Sequence, residues 1–152
     1  MAEVLFYRLT RSSLAGTLPV FVERSLARGS RVAVRGGSEA GLARIDDQLW
    51  NHGDGSFLPH GRDGAPHAED QPVLLTTGAP TNGAQVLLLV DGARVDPAEA
   101  VSFDRVALIF DGNDGAANDT AREDWKAVAA SGHKATYRAE EEGRWVEQAS
   151  SG

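Results

Sequence analysis

The segment "GGSEAGLA" places Gly36 and Gly41 at the spacing of a phosphate-binding loop. A working loop of this kind continues with a lysine that neutralises the phosphates and a Ser or Thr that holds magnesium. Leu42 and Ala43 occupy those two positions in this chain. A tight turn followed by a helix start is therefore the preferred interpretation. A nucleotide-dependent α/β enzyme with an unrecognised site near Gly36 and Gly37 is the alternative.

Two other segments carry the side-chain types that bind metals. The first contains two histidines and three carboxylates: His60, Asp63, His67, Glu69 and Asp70. Their spacing matches no zinc pattern, and the surrounding Gly and Pro predict a solvated surface loop. The second, "DGNDGAAND", is similar to a calcium loop, but Ala116 and Arg122 stand where the loop needs Gly and a bidentate Glu. We expect no metal, no cofactor and, without a G-x-S-x-G elbow, no enzyme.

The segment "NDTAREDWKAVAASG" groups two cations and an indole on one helix face. Arg122 and Lys126 are four residues apart and Trp125 is three residues past Arg122, so the three lie close together. In one interpretation Trp125 packs inward beside Ala121 and Val128, and the cations are solvated. In the other, the indole is a shelf flanked by cations, which suits a peptide that carries carboxylates and an aromatic ring.

The segment "LWNHGDGSFLPHG" carries large apolar residues around a glycine-rich break: Trp50, Phe57, Leu58 and Pro59. Trp50 could end a buried helical stripe and Phe57 could cover the edge of the core. Large aromatic residues serve cores and interfaces alike, so a docking surface is equally open for Trp50. For the whole set we favour a docking surface, in which Pro59 would limit the entropy lost on binding.

Alternating strands and helices must position these residues. Strands are predicted in five apolar or branched runs: "EVLFYRL", "RVAVRGG", "PVLLTT", "QVLLLVDG" and "RVALIFDG". The final segments "HKATYRA" and "RWVEQ" are predicted as a strand and its hairpin partner. The near-continuous apolarity of the central runs is typical of strands that are covered on both faces.

Helices are predicted between these strands. The first begins after Ser12 or Ser13, stops at Gly29, and either starts or bends at Pro19. The second follows Ser38, and the last spans residues 115–131 before Gly132. The alternation predicts an α/β fold, a three-layer α/β/α sandwich around a largely parallel or mixed sheet. We expect one domain over residues 1–148 and a disordered tail over residues 149–152.

Composition limits the classes of function. The chain has 152 residues, a formal net charge of −7 and no cysteine. DNA binding relies on Lys and Arg to neutralise phosphates, so this charge disfavours broad DNA contact. The lack of cysteine excludes disulfides and thiolate chemistry. No apolar run is long enough for a membrane span or signal peptide, so we expect a cytoplasmic protein without a membrane partner.

The chain resembles the chi subunit of the bacterial DNA polymerase III holoenzyme, a component of the clamp-loader assembly. The resemblance covers nearly the whole chain and is clearest in "VLFYRL", "LARIDDQLWNHGDGSFLPHG" and "RVALIFDGNDGAANDTAREDWKAVAASGH". It implies a non-catalytic adaptor with a nucleotide-binding-like fold that lacks a phosphate loop. It also implies two partners, the psi subunit and the acidic C-terminal tail of single-stranded DNA-binding protein, which ends in phenylalanine. DNA would be contacted only indirectly.

The resemblance assigns residues to both partners. Arg122 and Lys126 would bind the carboxylates of the tail, and Trp125, where the family often has Tyr, would support its aromatic ring. A lysine that the family carries one turn earlier falls at Asn118, which leaves one cationic contact in question. The surface that faces psi would consist of Trp50, Phe57, Leu58 and Pro59.

Overall fold

The described part of the chain forms one eight-stranded sheet with helices on both faces. The structure is a computed structural model that describes residues 3–50, 60–141 and 144–151. The strands are β1 (Glu3–Leu9), β2 (Val32–Arg35), β3 (Gly61–Arg62), β4 (Val73–Thr76), β5 (Val86–Leu89), β6 (Arg105–Asp111), β7 (Lys134–Glu141) and β8 (Arg144–Ser151). Their order across the sheet is β3-β4-β2-β5-β6-β1-β7-β8, and all neighbours are parallel except the antiparallel pair β7 and β8.

The described residues form the three predicted helices and a short fourth helix that was not predicted. They are α1 (Leu14–Ala27), α2 (Glu39–Trp50), α3 (Pro97–Ala100) and α4 (Gly115–Ser131), with a short 3-10 helix at Ala68–Asp70. Ser13 caps α1, because its hydroxyl accepts a hydrogen bond from the N–H of Gly16 at 3.1 Å. The helix begins before Pro19 and continues through it, so the alternative that it starts at this proline is wrong.

Two apolar layers enclose the sheet. On one face, α1 and α2 pack over the sheet through residues such as Leu18, Leu42 and Ile45. On the other face, α4 packs through Ala121 and Val128, and the loop after α3 contributes core residues to the same layer. All four residues of β4 and all four of β5 are buried, as expected for strands covered on both sides. The predicted three-layer α/β/α sandwich is confirmed.

The connections reverse direction at the middle of the sheet. The path β1-α1-β2-α2-β4 moves toward one edge, and the path β5-α3-β6-α4-β7 moves toward the other. The neighbouring strands β1 and β6 therefore lead into helices on opposite faces. In open α/β sheets, ligands bind in the crevice beyond the carboxyl ends of such strands.

Two segments differ from the sequence-based expectation. Residues 149–151 belong to β8 and pair with β7, where a disordered tail was expected. The antiparallel ladder supplies partners for the backbone of that segment. His60 is also buried, with Nε2 2.8 Å from Asp46 Oδ1, so the expected solvated loop is wrong at this residue.

Neither a membrane span nor a metal cluster is found in the described part of the chain. None of its helices combines the length and the apolarity that crossing a membrane requires. No three His or carboxylate side chains converge there as a metal site would require.

Candidate peptide-binding surface on the last helix

Trp125 lies at the margin of the core, partly buried and partly accessible. Its ring meets Phe6 edge-on, with centroids 5.4 Å apart, and Tyr137 edge-on at 6.0 Å. The indole is therefore fixed by the sheet but not sealed in the interior. The ring packs on the core, as one interpretation expects, and part of it is accessible; its use as a shelf for a peptide stays a prediction.

The helix period explains this placement. The buried stripe of α4 consists of Ala121, Asp124 and Val128, spaced by three and four residues. Trp125 follows Asp124, so it stands one position away from the centre of the stripe. Arg122 and Lys126 are a further step toward solvent, and both are exposed.

The two cations are available for binding. The side chain of Arg122 is 71% exposed, and its nearest carboxylate is that of Asp119, at 3.9 Å. Such exposed pairs contribute at most about 1 kcal/mol, so a ligand could displace Asp119 at small cost. Within the described ranges, Lys126 forms no ion pair. The structure thus brings Arg122, Trp125 and Lys126 together as the sequence predicts.

Two residues that the sequence analysis missed extend this surface. Arg8 stands at the carboxyl end of β1, and Nη2 donates to the Gly112 carbonyl at 3.2 Å. Its Nε is buried without a hydrogen-bond partner among the described residues. Tyr137, on β7, packs against Trp125. Burial raises the pKa of the Tyr137 phenol, and the nearby charges of Arg8 and Arg122 oppose this shift.

In the pairing of β1 with β7, Arg8 is opposite Ala139 and Phe6 is opposite Tyr137, so the side chains of Arg8 and Tyr137 lie on the same face of the sheet. A signal for Arg8 was present in the sequence, since residues 4, 6 and 8 of an alternating strand share one face. Val4 and Phe6 occupy that face in the layer beneath α4. No sequence signal pointed to Tyr137, because its position depends on β7 pairing beside β1.

Asn118 has a structural role at this site. Its amide donates to the carbonyls of Gly112 at 2.8 Å and Asp114 at 3.1 Å. Asn118 therefore fixes the loop before α4 and adds no charge to this surface. Gly112 is required beside it, since an added Cβ would lie 2.4 Å from Arg8 Cγ and 2.8 Å from the Leu9 carbonyl oxygen.

The buried carboxylate next to Trp125 is neutralised. Asp124 is 2% exposed. Its Oδ1 accepts from Arg94 Nε at 2.9 Å and Nη2 at 2.7 Å, and its Oδ2 accepts from the N–H of Val95 at 3.0 Å. Without Arg94, this carboxylate would oppose an anionic ligand on α4.

The crevice at the carboxyl ends of the strands offers little to a phosphate. It encloses about 810 Å³ next to the loops after β1, β5 and β6. Asp114 already occupies the start of α4, where its Oδ1 accepts from the N–H groups of Ala116 and Ala117. Carboxylates at these positions satisfy the donors that a phosphate would need.

In the loop after β2, a carboxylate of the chain again occupies the place that a phosphate would need. Ser38 caps α2 and donates its hydroxyl to Asp91 at 2.9 Å. A Cβ added to Gly41 would lie 1.8 Å from Asp91 Oδ2. A carboxylate thus stands beside Ser38 and Gly41, directly after Gly36 and Gly37, which disfavours the nucleotide-dependent alternative at this loop.

The apolar set proposed for psi lies outside the described residues. This applies to the side chain of Trp50 and to Phe57, Leu58 and Pro59. The helix α2 does end at Trp50, as predicted, and Leu49 before it is buried.

Comparison with known proteins identifies a family. The model of the family described as "DNA polymerase III chi subunit, HolC" matches residues 1–136 of the chain. No curated protein matches. Because the match covers most of the 152 residues, the chain belongs to this family. Membership indicates an accessory role in DNA replication.

Proposed function

Starting from membership in the chi subunit family, we propose that this chain is a non-catalytic replication adaptor. It binds the acidic C-terminal tail of single-stranded DNA-binding protein through the surface of α4, and it binds psi or an equivalent clamp-loader partner through a separate surface. DNA is reached only through the tail-bearing protein.

One observation carries the tail-binding proposal. Two accessible cations, Arg122 and Lys126, lie one turn apart beside the half-buried indole of Trp125, in a chain whose net charge is −7. Arg8 and Tyr137 border the same place. Guanidinium groups suit carboxylates, and an indole face suits a phenylalanine ring.

The charge of the whole chain sets the character of this binding. A net negative protein repels an acidic tail at long range, but physiological salt screens that repulsion beyond about 8 Å. Affinity then depends on close contacts at the local basic surface. We expect micromolar affinity, about 8 kcal/mol, reinforced where one partner presents several tails.

Calorimetry with a short acidic peptide that ends in phenylalanine tests the site. Arg122→Gln and Lys126→Gln should each weaken binding about tenfold, or about 1.4 kcal/mol. Arg44→Gln is the matched control, since it removes one exposed cation from α2. A peptide that lacks its final phenylalanine should bind weakly to every variant. Equal affinities for the wild-type chain and the α4 variants would refute this site.

The proposed psi surface rests on the sequence alone. An apolar set around a glycine-rich break suits a subunit interface, whose centre is enriched in aromatic residues. Trp50→Ala and Phe57→Ala should reduce co-purification with psi. Val101→Ala is the control, because Val101 is an apolar side chain that is 67% exposed. Full retention of psi by both variants would contradict the assignment.

A further inference from the structure

A second cationic site lies between α1 and the sheet, on the face of the sheet opposite α4. It is a cavity of about 270 Å³ near the amino ends of β1, β5 and β6. Four arginines line it: Arg24, Arg28, Arg105 and Arg138. The chain as a whole has a net charge of −7. Four arginines around one cavity are therefore unusual in this protein and require an explanation.

The arginines approach from two directions. Arg24 and Arg28 stand in the last turn of α1 and just after it, and both are exposed. The negative end of the helix dipole favours cations there, which alone could account for these two. It does not account for Arg105 and Arg138, which reach the cavity from the sheet and are half-buried.

Carboxylates compensate only part of this charge. Glu3 lines the cavity and lies 3.9 Å from Arg105. Glu147 is opposite Arg138 in the strand register, without an ion pair to it. Arg138 Nη1 lies 3.4 Å from the Tyr7 hydroxyl, with its guanidinium carbon 6.0 Å from the ring centroid. Neither Arg24 nor Arg28 pairs with a carboxylate in the described part of the chain.

The rest of the lining is apolar. Leu5, Val86, Leu88 and Ala107 form the side contributed by the sheet, and Phe21 contributes from α1. Since the hydroxyl of Ser25 donates to the Phe21 carbonyl at 3.0 Å, the polar groups free to act on a ligand are mainly guanidinium donors. A complementary ligand is therefore anionic and rich in acceptors, with an uncharged part that contacts an apolar wall.

We propose that this cavity binds a small phosphate ester of about mononucleotide size. Arginine pairs with phosphate oxygens through two parallel hydrogen bonds, and four such groups suit a dianion or trianion. The volume of about 270 Å³ is close to the lower limit of small-molecule sites, about 300 Å³, which suits a ligand of this size. The site is distinct from the crevice at the carboxyl ends of the strands, where internal carboxylates occupy the anion positions.

Thermal shift and calorimetry on the full chain test this proposal, with AMP, ADP and pyrophosphate as probes. At least one of the nucleotides should raise the melting temperature and bind with a salt-sensitive affinity. The double variant Arg24→Gln/Arg28→Gln should lose at least about tenfold in affinity. Both positions are exposed, so the fold should be retained. Arg44→Gln, which removes a cation elsewhere, should bind as the wild-type chain does.

Three outcomes would overturn the proposal. The first is the absence of binding by all three probes at millimolar concentration. The second is equal binding by the double variant and by the wild-type chain. The third is loss of the acidic tail peptide, rather than of the nucleotides, in the double variant, which would assign the cavity to a peptide.

Discussion

Glu140 and Ser12 are joined by two hydrogen bonds across 128 positions of the chain. The Ser12 hydroxyl donates to Glu140 Oε2 at 2.6 Å, and the Ser12 N–H donates to Oε1 at 3.1 Å. Oε1 also accepts from the N–H groups of Thr10 and Arg11, at 2.9 and 3.2 Å. Three consecutive N–H groups thus form an anion nest after β1, and the chain fills it with its own carboxylate.

Removing the charge of Glu140 should destabilise the protein. Burial alone would raise the pKa of this carboxyl, but the hydrogen bonds from Ser12, Thr10 and Arg11 outweigh it and lower the pKa. A carboxyl with a lowered folded pKa stabilises above the unfolded value of about 4.3. That stabilisation is lost as the pH falls through the folded pKa.

Urea unfolding of Glu140→Gln at several pH values measures this effect. At neutral pH we expect a loss of about 1 kcal/mol, at the low end for a charged hydrogen bond because the loop is partly exposed. The difference from the wild-type chain should shrink toward acidic pH. Glu141→Gln, on the neighbouring exposed residue, should change little. A loss that is constant with pH would contradict the assigned role.

Arg94 and Asp124 should contribute unequally to stability. Arg94→Ala leaves the carboxylate of Asp124 buried with only the Val95 N–H, and we expect a loss of about 3 kcal/mol. Asp124→Ala leaves Arg94 free to enter solvent, since its side chain is 53% exposed. The expected loss is then about 1–2 kcal/mol, from the unsatisfied N–H and the lost packing. Chemical denaturation of both variants measures the two losses of stability. A larger loss in Asp124→Ala than in Arg94→Ala would refute this account.

The bounds of individual helices were predictable because they depend on residues that are close together in the sequence. The bounds of α4 follow from the residues at its ends, and Ser13 was one of two predicted caps of α1. Strand order was not predictable, since β7 could have paired beside β6 but pairs beside β1. Tyr137 therefore escaped detection, because it meets Trp125 only through that pairing. The burial of His60 also depends on a distant partner, Asp46.

Gly112→Ala should disturb Arg8. The added methyl group would overlap Arg8 Cγ and approach the backbone oxygen of Leu9, which cannot move easily. We expect a loss of stability of about 1–3 kcal/mol and weaker binding of the acidic tail peptide. Gly115→Ala is the matched control, because nothing lies within 4 Å of its added Cβ. It should leave both quantities nearly unchanged. Equal behaviour of the two variants would show that the approach of Arg8 to Gly112 is unimportant.

Asn118→Lys should strengthen tail binding while weakening the fold. The substitution adds a cation one turn before Arg122, on the surface proposed for the tail. It also removes the hydrogen bonds from Asn118 to the Gly112 and Asp114 carbonyls. We expect affinity for the acidic peptide to rise about threefold to tenfold at low salt, which is about 0.6–1.4 kcal/mol. The melting temperature should fall, in line with a loss of about 1 kcal/mol.

Calorimetry at two salt concentrations, together with thermal unfolding, separates the two effects. Ala43→Lys is the control for net charge, because Ala43 is exposed on α2. If the gain arises from a contact with the tail, only Asn118→Lys should show it, and added salt should reduce it. An equal gain in Ala43→Lys would assign the effect to the charge of the whole chain. A weaker affinity of Asn118→Lys would mean that the loop held by Asn118 matters more to the tail than an added cation.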